Sequence, residues 1–168
     1  MHNFHFKQLK AFTLSLLLLL SIIFTMLGEG KIFLFSLLVI LSLRITMGGM
    51  HRRTFWGCFF FSFGFFLLVI IMGRYFFIPN SVLVGLYIGY IIYILLRAPI
   101  PSKARPSMTE ATRKKLKGYS IVVVSAWISG CFFFKYGQWK NCLGWTLLLQ
   151  MIEILVVEGG RWLCQKNE

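Results

Sequence analysis

No aspartate occurs anywhere in the 168 residues, and the acidic residues amount to Glu29, Glu110, Glu153, Glu158 and Glu168. That scarcity removes EF-hand loops, aspartyl proteolysis and two-metal carboxylate centres, each of which needs several carboxylates converging on one point. The cysteines Cys58, Cys131, Cys142 and Cys164 contain no CxxC spacing, so neither a zinc ribbon nor a redox dithiol is encoded. HExxH is missing too, which excludes the zinc protease helix. No metal and no other cofactor is expected.

What the chain has in excess is apolar residues, 58% of the total, with a further bias toward aromatics at 17%. A soluble core of this size has no room to hide so much apolar surface. Six apolar runs are long enough, or nearly so, to cross a bilayer as helices: 11–27, 32–47, 54–72, 81–96, 119–134 and 143–157. The second is short and carries Arg44 near its end, which leaves a tilted helix or a re-entrant segment open. Gly28, Gly30, Gly73, Pro79, Gly118 and Gly137 are read as punctuation between the runs. The fold class expected is all-α, a polytopic membrane helix bundle of about six transmembrane helices forming one domain over residues 1–168. The first run resembles a signal peptide h-region, but more apolar runs follow and 24–26 offers no small-x-small cleavage site, so it is read as a membrane helix.

A formal charge of +13 would by itself suggest nucleic acid. The basic residues lie between the apolar runs, however, so topology accounts for them and no nucleic-acid partner is expected. With six spans, fourteen Lys and Arg fall on the side of the two termini and only Lys31, Arg74, Lys135 and Lys140 on the other. Basic residues in short loops stay in the cytoplasm, which predicts both termini inside a multi-pass plasma-membrane protein. The longest polar stretch, 97–118, holds Pro99, Pro101 and Pro106 and then a helix-like run from Thr109 to Lys117 with a plausible helix start at Thr109 and Glu110. It reads either as a stop-transfer loop drawn to anionic headgroups or as a dock for an acidic peptide through Lys114, Lys115 and Lys117.

One segment carries a candidate chemistry. His51, the only histidine beyond residue 5, stands seven positions before Cys58, at the predicted cytoplasmic entrance of the third helix. Cysteine proteases pair these groups because the thiolate attacks and the imidazolium protonates the leaving amine. Were residues 51–58 one continuous helix, the two side chains would share a face yet stand roughly 10.5 Å apart along its axis. His51 must then fold back from a non-helical turn, which Gly48 and Gly49 permit. Arg52 and Arg53 are positioned to hold an oxyanion or a substrate carboxylate. Cys131, Cys142 and Cys164 have no histidine nearby in sequence and are read as inert packing. Glu153, with Gln150 one turn earlier, is a polar pair inside the sixth run; it either orients His51 or bonds to another helix, the latter being favoured. The aromatic stretch 59–66 is read as a lipid-facing or packing surface.

The run Gly48-Gly49-Met50-His51 with Cys58 seven positions on resembles the signature of the accessory gene regulator B (AgrB) family, membrane cysteine endopeptidases of quorum sensing in Gram-positive bacteria. Arg97-Ala98-Pro99, followed by the basic stretch up to Tyr119, is similar to the family's central loop. The resemblance covers residues 10–157 or so. It implies removal of the acidic C-terminal tail of an AgrD-like precursor peptide through an acyl-enzyme, and closure of a cyclic thiolactone or lactone autoinducer, with Cys58 as nucleophile and His51 as general base and acid. Two features depart from the family pattern: only about ten residues precede the first span, and Arg52 follows the histidine where a small residue is common. The partners implied are that precursor and the lipid bilayer, with a homo-oligomer left open. The competing expectation is a non-catalytic transporter or scaffold subunit, motivated by Gln150 and Glu153.

Overall fold

The computed structural model describes residues 2–47, 54–97, 109–133 and 137–166, with side chains described from residue 14 to residue 157 of those stretches. Among these residues the chain is all-α: α1 (His2–Met26), α2 (Gly30–Met47), α3 (Phe55–Tyr75), α4 (Asn80–Leu96), α5 (Glu110–Phe133) and α6 (Gln138–Lys166). Helices follow from the apolar runs, because in hydrocarbon every backbone N–H and C=O must bond within its own segment. Within α2, α3, α5 and α6 there are stretches both long and apolar enough to cross a membrane. The apolar part of α1, Leu14–Met26, and the 17-residue α4 are shorter. At 1.5 Å per residue α4 spans about 26 Å, a few ångströms less than the hydrocarbon core, a gap that local thinning or snorkelling flanks can close. The architecture is that of a helical membrane bundle, and α2 is an uninterrupted helix of 18 residues instead of a re-entrant loop.

The end of α1 shows how the sequence turns the chain. Gly28 takes φ 78°, a left-handed conformation that glycine adopts without strain. Its N–H donates to the Thr25 carbonyl at 3.0 Å and the next N–H, of Glu29, donates to Phe24 at 2.9 Å. This is the Schellman ending, and it sends the chain directly into α2. Two glycines expected at boundaries lie inside helices instead. Gly118 is within α5, which runs unbroken from Glu110, and Thr109 begins that helix as expected by accepting the Thr112 N–H at 3.3 Å. Gly73 is inside α3, where a Cβ would come within 3.1 Å of the backbone of Cys142 on α6. It is therefore a contact residue that lets α3 and α6 approach closely.

Two apolar clusters hold the bundle. One joins α2, α4, α5 and α6 around Leu43, Tyr90, Ile128 and Leu147. The other joins α1, α2 and α3 around Leu20, Phe33 and Phe66, with Cys142 of α6 at its edge. Phe33 stacks on Phe24 at 4.8 Å and meets Phe66 edge-on at 4.7 Å, so one aromatic layer ties three helices. Leu18, Ile22, Leu34, Leu38, Ile88 and Val122 face outward and are exposed, an arrangement suited to lipid and not to water.

Polar contacts sort the connections between the two ends. Arg74 pairs with Glu29, Lys140 Nζ donates to Asn80 at 2.8 Å, and Trp145 Nε1 donates to the Phe76 carbonyl at 3.0 Å. The turns α1–α2, α3–α4 and α5–α6 therefore gather at one end. At the other, Lys117 Nζ donates to the Leu95 carbonyl at 2.6 Å, tying α5 to the last turn of α4.

Candidate active site

Cys58 is the fourth residue of α3, and its N–H closes the first helical bond on the Thr54 carbonyl at 3.1 Å. Thr54 is extended, with φ −108° and ψ 146°, and its side chain does not cap the helix. The backbone is thus not helical across 51–58, which removes the continuous-helix geometry that would separate the two groups. His51, Arg52 and Arg53 lie outside the described residues. The Cys58 thiol is free and half-buried, packed against the α1–α2–α3 cluster. Cys131 and Cys142 are also free but fully buried, in keeping with a packing role; the Cys164 side chain lies outside the described ones.

Glu153 bonds across the bundle. Its two carboxylate oxygens accept from Arg44 Nη2 at 2.9 and 2.8 Å, joining α6 to α2 one turn before α2 ends. The side chain of Glu153 is 3% exposed and that of Arg44 24%. Any bond to His51 falls outside the described residues. Close approach of Gly73 to Cys142 sets the register of the antiparallel pair α3 and α6. Counting back from it brings Glu153 level with Ser62, about 6 Å along the axis from Cys58. Gln150, one turn from Glu153, is fully buried, and among the described residues its amide oxygen and nitrogen meet no partner.

Between α3 and α6 lies a groove of about 400 Å³, walled by Phe60, Phe61, Gly64 and Phe65 on one side and by Leu149 and Glu153 among others on the opposite side. The aromatic stretch 59–66 is accordingly divided: Phe59 and Phe66 are buried in the bundle, while Phe60, Phe61 and Phe65 face the groove. Of the three lysines expected to receive an acidic peptide, Lys114 and Lys115 are exposed on α5 and Lys117 is engaged with Leu95.

Sequence reasoning missed the Arg44–Glu153 pair, having counted Arg44 only toward topology. The signal was available, since a cation and an anion each lay within an apolar run, where neither is stable alone. The groove was missed for a different reason. It arises from two distant segments and has no local signature.

Fold and site together define a helical membrane protein whose half-buried thiol sits on the first turn of a helix. Known proteins make this class specific. The family model described as Accessory gene regulator B matches residues 7–154. A protein of Clostridium beijerinckii described as AgrB-like is 30% identical over 148 residues, covering 86% of this chain and 71% of the relative. No solved structure matches significantly. The chain belongs to the AgrB family, a family associated with the processing of quorum-sensing peptides.

Proposed function

We propose that this protein is a cysteine endopeptidase of the cytoplasmic membrane that cuts the acidic tail from a quorum-sensing precursor peptide and helps close the remainder into a ring. Cys58 is the nucleophile and His51 the proton carrier. The thiolate adds to the scissile carbonyl, the C–N bond breaks, and the departing amine takes its proton from the His51 imidazolium. The peptide is then held as a thioester on Cys58. An internal thiol or hydroxyl of the peptide gives its proton to His51 and attacks that thioester. The bond to Cys58 breaks, the thiolate and imidazolium are restored, and a thiolactone or lactone leaves.

What carries this reading is a free, half-buried thiol at the start of α3 in a member of this family. The amides of Trp56 and Gly57 point toward the start of α3, and donors of this type stabilise a tetrahedral oxyanion. Partial burial at the rim limits water, which favours cyclisation over hydrolysis of the thioester. The excess of basic residues on the α2–α3 and α4–α5 connections supports a cytoplasmic site with both termini inside, six crossings in all. Lys114, Lys115 and Lys117, with Arg52 and Arg53, supply charge for the acidic tail.

The test is tail removal in cells co-expressing the chain with an acidic-tailed precursor, read by mass spectrometry. Cys58→Ala and His51→Ala are expected to abolish product while leaving protein in the membrane. Continued cleavage by either variant would overturn the assignment.

A further inference from the structure

We propose that the groove between α3 and α6 is a subsite for one large apolar side chain of the substrate peptide, on the acyl side of the bond that Cys58 attacks; this rests on Cys58 being the nucleophile. Position is the first argument. Cys58, Phe61, Phe65 and Leu68 follow one another at i, i+3, i+7 and i+10, so they share a face of α3, and the last three line the groove. Helical side chains lean toward the N-terminus, which tilts Phe61 and Phe65 toward the turn that bears the thiol. Cys58 does not line the groove itself, but with Phe65 and Leu149 it packs against one and the same cluster.

The walls give the second argument. Gly64 leaves a stretch of bare backbone in the groove, and a Cβ there would meet nothing within 4 Å. The space is thus open because a side chain is missing from its wall, and a bulky guest can fill it. Glu153 is the charged group on the lining. Lipid tails are as apolar as the groove, so selectivity for a guest arises from fit against the rings and not from transfer out of water. Fit of this kind discriminates by about tenfold or somewhat more.

The experiment uses the full chain in lipid vesicles and two acidic-tailed precursor peptides that differ only in the residue before the scissile bond, Phe or Ala. The native protein is expected to prefer Phe in kcat/KM by about tenfold. Gly64→Leu fills the groove, and is expected to bring that ratio to within about threefold while the Ala peptide keeps its rate. Gly85→Leu is the control, since Gly85 is exposed on α4 and its Cβ also meets nothing within 4 Å; it should leave the ratio alone. No preference in the native protein, an unchanged ratio in Gly64→Leu, or equal loss of both peptides would overturn the subsite, the last pointing to a lipid or a second copy as the occupant. A binding arm keeps this separate from the chemistry. A precursor carrying benzoylphenylalanine at the same residue is photolysed with the Cys58→Ala protein. Adducts on Phe61, Phe65 or Leu149 that Gly64→Leu suppresses support the subsite even if Cys58→Ala still cleaves and the nucleophile assignment fails; adducts elsewhere overturn it.

Discussion

Removing Arg44 should cost this bundle more than removing Glu153, and the reason lies in their unequal burial. The carboxylate of Glu153 is 3% exposed and accepts two bonds from one guanidinium nitrogen, whereas the Arg44 side chain is 24% exposed and sits one turn from the end of α2. Deleting one partner of a buried pair and stranding the other's charge costs about 3–5 kcal/mol. In Arg44→Met the group that loses its guanidinium is the nearly inaccessible carboxylate, and the loss should approach that range. In Glu153→Leu the stranded group is a long side chain that can extend its head toward the rim, so the loss should be nearer the roughly 1–2 kcal/mol of an interhelical hydrogen bond in lipid. At about 2–4 °C per kcal/mol for a chain of this size, the midpoints in detergent should fall by about 10 °C and by a few degrees respectively. The double variant Arg44→Met/Glu153→Leu removes both charges and refills the volume. It should recover most of the loss seen in Arg44→Met, giving a favourable coupling in the cycle. Thermal unfolding of the purified protein measures all three. Additive losses, or a larger drop for Glu153→Leu than for Arg44→Met, would refute the reasoning.

Other consequences are simpler to state. Gly73→Ala places a methyl within 3.1 Å of the Cys142 backbone, so α3 and α6 must separate; a loss of about 1–3 kcal/mol is expected in the same melting assay. Changing Lys114 and Lys115 to Glu should weaken binding of an acidic tail peptide several-fold, and the native affinity should fall as salt is raised from 0.05 to about 0.5 M, because exposed charges act through screened Coulomb attraction. Calorimetry or fluorescence anisotropy with the tail alone reads both effects.

All six helices were legible from the apolar runs, since a bilayer leaves the backbone no alternative to helix. Their ends were less so. Hydropathy marks where a chain leaves the hydrocarbon, not where its hydrogen bonding stops, and for that reason α5 begins at Glu110 instead of Tyr119 and α6 continues through Lys166. Gly73 was misread because glycine serves both turns and close contacts, and only the position of Cys142 tells them apart. The seven-residue spacing of His51 and Cys58 was legible in the sequence, their proposed chemistry came from the family resemblance, and the extended Thr54 shows that α3 does not continue back through it. Which cation meets Glu153, and which face of the phenylalanine stretch turns toward α6, depend on tertiary register and had no trace in any local pattern.

The unbroken course of α5 past Gly118 has a mechanical meaning. Glu110 to Lys117 do not dangle from a tether; they form the upper part of a mast whose foot is wedged against α2, α4 and α6. Whatever seizes Lys114 and Lys115 takes hold of the bundle itself, and a sideways pull at the tip would be felt by α2, which packs against α5.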